Sequence, residues 1–253
     1  MSKIENHQSE IANQNSNWFV SWFDTPYYHI LYKDRNYREA QIFMDNLTHY
    51  LNLPEHAKVL DLACGKGRHS IYLNQLGFSV LGVDLSQKSI EIAAKNANDT
   101  LQFKVHDMRE PFEEKFDAIF NLFTSFGYFD NDDDNLKTLI TIKESLSEYG
   151  FAVIDFMNVP FVLDHLIAEE TKTIEEIDFH LKRYLKDGFI IKEIDFEDQG
   201  KKFHYEEKVR ALTLHDFTQM MEDAGIYLLD TFGDYKLKKY HKSTSERLIM
   251  IFK

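Results

Sequence analysis

Cysteine is nearly absent from this chain of 253 residues, in which Cys64 stands alone. A single thiol forms no internal disulfide, and the sequence holds neither an apolar run of about 18 residues nor a signal-like start. These absences exclude a disulfide-stapled fold and a membrane-spanning helix. They predict a protein of the reducing cytoplasm, with Cys64 serving as a small residue rather than as a nucleophile.

Basic residues are also in short supply: 29 Lys and Arg face 42 Asp and Glu, which gives a net charge of −13. Tight sequence-independent binding to nucleic acid or to an anionic membrane depends on basic surfaces. The charge therefore argues against both partners and favours a small-molecule substrate. The hydrophobic share of 43% is sufficient for the core of one large α/β domain.

Glycine is sparse as well, yet two of the ten glycines stand in the stretch VLDLACGKGRHS, residues 59–70. Apolar residues from Val59 onward indicate a buried strand, and helical spacing begins at Ile71. Gly65 and Gly67 lie between them, where a glycine allows positive φ or close approach to a ligand. The helix N-terminus behind the turn offers N–H groups to a carboxylate or phosphate. The turn therefore predicts a cofactor site.

The spacing of this turn differs from that of two phosphate-binding motifs. The dinucleotide fingerprint places a third glycine where Ser70 stands, and a P-loop has Ser or Thr after Gly-Lys, whereas Gly67 follows Lys66. The stretch instead resembles motif I of the class I S-adenosylmethionine (SAM)-dependent methyltransferases. That motif has an acidic residue, small residues and Gly-x-Gly, matched here by Asp61, Ala63, Cys64, Gly65 and Gly67.

Later stretches agree with this resemblance. Asp84 follows the next apolar run, residues 78–83, at a position where a carboxylate can accept both ribose hydroxyls of a nucleotide. Another apolar run precedes Asp107-Met108, and residues 116–129, FDAIFNLFTSFGYF, resemble the fourth-strand motif of the family. The position of Asp84 suits a dehydrogenase equally, so the two later stretches carry the distinction.

The resemblance implies a SAM site made from these motifs, and no metal. Among the motif I residues, Gly65 is expected to admit the methionine moiety closely. Beyond motif I, Asp84 is expected to hold the ribose. The remaining expected contacts flank the adenine, accept a hydrogen bond from its amino group or lie on the fourth strand: Leu85, Asp107, Met108, Asn121 and Phe123.

Aromatic residues crowd residues 18–37, after a polar leader, residues 1–16, that shows no periodicity. Such crowding is typical of a core, but it also suits a lid over the cofactor, which residues 17–53 would form. The run YYHILYKDRNY resembles the lid of small-molecule N-methyltransferases. The resemblance implies aromatic faces near the sulfonium and a cation near the methionine carboxylate, with the candidates Tyr28, Tyr32, Arg35 and Arg38.

Strand and helix patterns alternate between residues 59 and 156, a rhythm that indicates a parallel sheet. The acidic run 130–135 is interpreted as the capped start of a helix, and Gly150 as its end. The alternative, a metal site formed by these carboxylates, is not favoured.

The alternation stops after residue 158, where the turn signals Asp187-Gly188 and Gln199-Gly200 separate alternating runs. Residues 176–211 are therefore expected to form an antiparallel β insertion. Together with the family resemblance, these patterns predict one α/β methyltransferase domain over residues 17–253. Its expected fold is a doubly wound, Rossmann-like, seven-stranded and mostly parallel sheet.

The acceptor pocket is expected at the carboxyl ends of the parallel strands, where the insertion would wall it or form a homodimer contact. Ser125, Phe126, Tyr128 and Phe156 are the candidate lining residues. His215 is the candidate for proton removal, because the run RALTLHDF around it resembles a segment of amino-sugar N-methyltransferases that approaches the substrate.

Three functions remain open from the sequence. The first is methyl transfer from SAM to a small molecule, above all an amine, because several segments resemble glycine and amino-sugar N-methyltransferases. The second is the same fold acting on oxygen, a carboxylate or a protein terminus. The third is a SAM-binding protein without transferase activity or a Rossmann dehydrogenase, although Ser70 and Asp61 argue against the dehydrogenase.

Overall fold

The computed structural model describes residues 22–33 and 37–253. The expected polar leader and the candidate Arg35 lie outside the described residues, as do Trp18 and Phe19 of the aromatic run. Within the described ranges, no helix is long and apolar enough to cross a membrane.

A seven-stranded sheet occupies the centre of the fold. Its parallel strands are β1 (Lys58–Leu62), β2 (Ser79–Asp84), β3 (Leu101–Val105), β4 (Phe116–Asn121) and β5 (Leu146–Met157). At one edge, β11 (Arg247–Phe252) pairs antiparallel with β5 and with β10 (Leu228–Phe232). The strand order β10-β11-β5-β4-β1-β2-β3 confirms the predicted mostly parallel, Rossmann-like architecture.

Helices cover both faces of this sheet. They are α1 (Pro26–Leu31), α2 (Tyr37–Tyr50), α3 (Arg68–Gln75), α4 (Gln87–Ala93) with a short 3₁₀ turn (Ala94–Asn96), α5 (Asp132–Ser145), α6 (Val159–Asp164) and α7 (Leu214–Asp223). Val59 of β1 lies in an apolar cluster with Leu47 of α2 and Leu73 of α3. Its neighbour Leu60 lies in the opposite cluster with Leu139 of α5 and Phe217 of α7. Both faces of β1 are therefore buried, as in a doubly wound sheet.

A separate four-stranded antiparallel sheet follows α6. Its strands are β6 (Glu169–Ile174), β7 (Ile177–Lys186), β8 (Phe189–Asp198) and β9 (Lys201–Arg210). The predicted turns at Asp187-Gly188 and Gln199-Gly200 have positive φ at both central residues, as the tight hairpin turns of the prediction require.

The first strand of this sheet lies before the predicted limits of the insertion, residues 176–211. β6 is an edge strand whose polar side chains are mostly exposed, so it shows no apolar alternation. Its hairpin turn is formed by Glu175 and Glu176, with φ of 52° and 66°, although glutamate is not a turn signal. For both reasons the sequence pattern did not reveal this hairpin.

The helix that starts at the acidic run ends at Ser145, not at the predicted Gly150. Its start agrees with the prediction, because the Asn131 side chain accepts from the backbone N–H of Asp134. Gly150 lies inside β5, where a Cβ would stand 2.7 Å from the carbonyl oxygen of Phe116. The glycine therefore permits close passage of β5 beside β4 rather than ending a helix.

Candidate active site

A cavity of about 500 Å³ lies at the carboxyl ends of β1, β2 and β4, the edge where doubly wound sheets bind ligands. Its volume falls in the range of roughly 300–1,000 Å³ that is usual for small-molecule sites. The lining brings together these residues predicted from the sequence: Tyr28, Tyr32, Asp61, Ala63, Cys64, Gly65, Asp84, Leu85, Met108, Phe123, Ser125 and Tyr128.

The turn after β1 and the end of β2 are joined through a carboxylate. The backbone N–H of Gly65 donates to Asp84 Oδ2 at 2.9 Å, and the N–H of Ser86 donates to Asp84 Oδ1 at 2.8 Å. Burial raises the pKa of Asp84, and these two donors oppose that rise. A Cβ built on Gly65 would meet no atom within 4 Å, so the Gly65 Cα faces open cavity.

Asp61 at the end of β1 is only 2% exposed, although it contributes to the cavity wall. Its Oδ2 accepts a hydrogen bond of 2.6 Å from the Ser70 hydroxyl. Burial above all, together with the negative charge of Asp84, raises the pKa of Asp61 to about 7 against the lowering effect of the Ser70 hydrogen bond. Ser70, at the place of the third glycine of a dinucleotide fingerprint, thus serves to hold the motif I carboxylate.

Two further residues of the glycine turn have packing roles. Burial raises the pKa of the Cys64 thiol, which keeps it protonated and agrees with its interpretation as a small residue. Gly67 has φ of 78°, and a Cβ there would stand 2.6 Å from the Phe103 ring on β3. Gly67 thus permits a close approach between α3 and β3; it lies outside the cavity lining, and its cofactor contact stays a prediction.

Asp107 and Asn121 also lie outside the cavity lining. Both carboxylate oxygens of Asp107 accept from Arg109, the shorter bond being 2.6 Å from Nη2. Burial raises the pKa of Asp107, but the contacts with Arg109 outweigh it and lower the pKa overall. The Asn121 amide donates to the Leu62 carbonyl oxygen between β4 and β1. The structure therefore does not bring either side chain into the cavity lining, and their cofactor contacts stay predictions.

The predicted acceptor pocket divides into lining and core residues. Ser125 and Tyr128 line the cavity, whereas Phe126 and Phe156 are 0% exposed and outside the lining. Both phenylalanine rings pack against Phe217 of α7, with centroids 5.4 and 5.3 Å away. Phe126 and Phe156 thus lie in the core beneath the loop, and their place in the acceptor pocket stays a prediction.

His215 is exposed in the first turn of α7 and lies outside the cavity lining. The segment around it is explained by its helix start, because Thr213 and Asp216 form a capping box through reciprocal side-chain and backbone hydrogen bonds. The structure therefore does not bring His215 to the cavity, and its role as a base stays a prediction.

The described residues 22–33, here called the N-terminal segment, lie between the cavity and the antiparallel sheet. Trp22 is 1% exposed, and its Nε1 donates to Glu207 of β9 at 2.7 Å. The Tyr32 hydroxyl donates to the same carboxylate at 2.8 Å and accepts from Lys192 of β8 at 2.6 Å. Tyr32 also lines the cavity, so the insertion supports one of its walls through this segment.

Among the described residues, the cations that line the cavity do not include Arg38, and Arg35 lies outside the described residues. Arg38 on α2 is exposed and outside the lining, while Lys33, Lys66 and Arg68 contribute to the lining. His69, which was not predicted, also lines the cavity: it follows Arg68 in the first turn of α3 and stacks on Phe123 at a centroid distance of 4.6 Å. Its place in the sequence could have indicated this, because the first helical residues after a glycine turn lie beside the carboxyl ends of the strands.

Comparisons with known proteins agree with this geometry. Residues 59–150 match the family model of the methyltransferase domain. The solved structure of a SAM-dependent methyltransferase from Clostridium acetobutylicum has a TM-score of 0.76 to this chain, at 23% identity over 90% of this chain and 95% of its own. The matched domain, the relatives and the fold together identify a SAM-dependent methyltransferase.

Two further proteins are similar to this chain. A glycine/sarcosine N-methyltransferase from Aphanothece halophytica is 29% identical over 79% of this chain and 78% of its own length. An amino pentose methyltransferase from Micromonospora echinaspora, whose structure contains SAM, has a TM-score of 0.70 at 15% identity, over 90% of this chain and 96% of its own.

The cavity residues fit SAM as the cofactor of this methyltransferase. The open space beside the Gly65 Cα can take the methionine moiety, and the oriented Asp84 carboxylate retains lone pairs for hydroxyl groups. Leu85 and Met108 offer apolar surface in the same lining for a planar base. Family membership and the residues present therefore agree on the cofactor.

Proposed function

We propose that this methyltransferase transfers the methyl group of SAM to a small-molecule amine. The observation that carries the proposal is the covered cavity, which the N-terminal segment walls through Tyr28 and Tyr32, opposite the glycine turn. A volume of about 500 Å³ leaves room for a small acceptor beside the cofactor but not for a folded polymer. The net charge of −13 also disfavours nucleic acid.

The choice of nitrogen over oxygen is supported by the relatives. The similar proteins from Aphanothece halophytica and Micromonospora echinaspora are a glycine/sarcosine N-methyltransferase and an amino pentose methyltransferase. A neutral amine already has a lone pair for attack, so the transfer needs orientation and water exclusion before it needs a base. This requirement fits a cavity whose wall carries aromatic rings and from which His215 is absent.

Within this proposal, Gly65 and Asp84 hold the cofactor while Phe123, Tyr128 and the N-terminal segment orient the acceptor. SAM supplies an electrophilic methyl group on a positively charged sulfur. The faces of Tyr28 and Tyr32 favour a cation nearby, because aromatic rings attract positive charge. Leu85 and Met108 flank the adenine, as the sequence predicted.

Release of S-adenosylhomocysteine from a panel of small amines, amino sugars and hydroxy acids tests the proposal. We expect turnover with one class of amine. Tyr128→Ala should lower kcat/KM for that amine by about tenfold or more, because it removes a wall that orients the acceptor. The matched control is His215→Ala, which should keep the full rate. Turnover confined to hydroxyl acceptors, RNA or a protein would contradict the proposal.

A further inference from the structure

The loop after β4 contains two consecutive non-glycine residues in the left-handed region. Phe123 has φ of 58° and Thr124 has φ of 59°, and both line the cavity. Residues with a Cβ rarely adopt this conformation, which persists only where surrounding structure holds it. The wall of the cavity therefore depends on contacts that keep this loop in place.

Asp155 near the end of β5 binds both strained residues. Its Oδ2 accepts from the backbone N–H of Phe123 at 2.8 Å, and its carbonyl oxygen accepts from the N–H of Thr124 at 2.9 Å. The Asp155 side chain is 0% exposed, so its carboxylate is held within the protein rather than in solvent. One buried residue thus takes the amide hydrogens of both left-handed positions.

Arg247 completes the arrangement from the neighbouring strand. Its Nε donates to Asp155 Oδ1 at 2.7 Å, while its Nη2 donates to the Thr124 hydroxyl at 2.9 Å. Arg247 is the first residue of β11, and the antiparallel pairing of β11 with β5 brings it to this end of the sheet. The guanidinium therefore joins the buried carboxylate to the strained loop.

The conformation held in this way places one ring inside the cavity. The Phe123 ring stacks on His69 with an interplanar angle of 8°. It also packs against the Tyr235 ring, with the two centroids 5.3 Å apart. Tyr235 also lies 5.7 Å from the Arg247 guanidinium carbon. A change at Arg247 would therefore reach the cavity through Thr124 and through Tyr235.

We propose that Asp155 and Arg247 are positioning residues for methyl transfer, which hold Phe123 and Thr124 in the conformation that aligns the acceptor with the methyl group. Both lie outside the cavity lining, so they act through the loop and not on the reactants. The proposal goes beyond the identity of the acceptor and requires only that methyl transfer takes place in this cavity.

The geometry selects Arg247→Lys as the most informative variant. Arginine presents donors in a planar fork, whereas lysine has one ammonium group and cannot reproduce the Nε and Nη2 contacts together. The substitution keeps a positive charge beside Asp155 but loses the bond to Thr124. Thr124→Val removes the hydroxyl end of the same bond at nearly constant shape. Arg210→Lys is the matched control, because Arg210 binds Asp132 through the same two nitrogens outside this cavity.

The experiment measures three quantities for each variant: affinity for S-adenosylhomocysteine by calorimetry, kcat and KM for the best acceptor, and hydrogen exchange at residues 123–124. We expect Arg247→Lys and Thr124→Val to keep cofactor affinity, to speed exchange in the loop and to lower kcat by about tenfold or more, the size of effect that small misplacements produce. The double variant Arg247→Lys with Thr124→Val should have a kcat no lower than that of Arg247→Lys alone, because both changes remove the same hydrogen bond between residues 247 and 124.

Two outcomes would overturn the proposal. One is Arg247→Lys with unchanged exchange and unchanged kcat. The other is an equal loss of cofactor affinity and kcat together with lower thermal stability, which would show a general structural role. Asp155→Asn is a second variant, since it keeps an acceptor for the Phe123 N–H but removes the charge beside Arg247. Faster loop exchange with intact cofactor binding is also expected there, and it can be measured without any acceptor.

Discussion

At the scale of single residues, the cofactor end of the cavity depends on how Asp84 is oriented. Two backbone N–H groups, from Gly65 and Ser86, bind its two oxygens and leave the remaining lone pairs directed to other donors. The carboxylate therefore links the glycine turn, the end of β2 and the proposed ribose position. Removal of this group should affect binding more than folding.

We expect Asp84→Ala to weaken binding of S-adenosylhomocysteine by about 1.5 to 3 kcal/mol, the range for loss of a hydrogen bond to a charged group. Isothermal titration calorimetry measures this change. Asp117→Ala is the matched control, because Asp117 accepts from the Lys58 N–H and the Ser147 hydroxyl, each at 2.9 Å, at the other end of the sheet. An unchanged affinity for Asp84→Ala would remove Asp84 from the site.

At the scale of elements, the N-terminal segment and the antiparallel sheet share one apolar cluster. Trp22 and Leu31 pack there with Phe179, Ile194 and Phe196 of the sheet. The N-terminal segment thus contacts the antiparallel sheet on its outer side and the cavity on its inner side. In addition, Asp24 accepts a hydrogen bond from Ser86, the N-cap of α4, which ties the segment to the cofactor end.

Glu207→Gln tests whether the sheet supports the cavity wall. Glu207 accepts from Trp22 and Tyr32 and lies 3.7 Å from the Lys192 ammonium, and these two charged side chains are only 16% and 14% exposed. Loss of the charge leaves the Lys192 ammonium poorly paired, so the contacts of residues 22–33 should weaken. We expect faster hydrogen exchange in residues 22–33 and lower affinity for S-adenosylhomocysteine.

The control for this variant is Glu170→Gln, which removes a carboxylate bound to Arg183 at 2.5 Å in the same sheet. It should leave exchange in residues 22–33 unchanged. In the wild-type protein, S-adenosylhomocysteine should further protect the segment if it closes as a lid. Equal exchange with and without this ligand would make the segment a permanent part of the core.

At the scale of the whole molecule, the doubly wound topology collects distant parts of the chain at one edge of the sheet. The lining of the cavity comes from the N-terminal segment, the turn after β1, the end of β2 and the loop after β4. A ligand that contacts all of these parts binds the folded state and not the unfolded chain. Its binding should therefore stabilise the protein as a whole.

Saturation with S-adenosylhomocysteine at a hundred times its dissociation constant should add about 2.7 kcal/mol to the free energy of unfolding. For a chain of this size, such an increase should raise Tm by about 5 to 10 °C. Differential scanning fluorimetry gives this shift, with NAD as the control ligand. A comparable shift with NAD, or none with S-adenosylhomocysteine, would contradict the cofactor assignment.

Much of the fold could be predicted because its signals are local. Apolar runs between helical patterns indicated the parallel strands, and the acidic run 130–135 marked the start of α5. The neighbourhood of Gly65 and Asp84 was also predictable, since adjacent parallel strands end at the same edge of a sheet. These features depend on residues that are close in sequence or on the regular geometry of the βαβ unit.

Only the tertiary structure decided which side chains face the cavity. Ser125 and Phe126 are neighbours, yet one lines the cavity and the other is buried against α7, because the loop conformation sets their directions. Asp155 and Arg247 are 92 residues apart, and their contact exists only because β11 returns antiparallel beside β5. The sequence by itself determined the parallel strands and the glycine turn, while long-range strand pairing decided the wall of the cavity, because no local pattern specifies a distant partner.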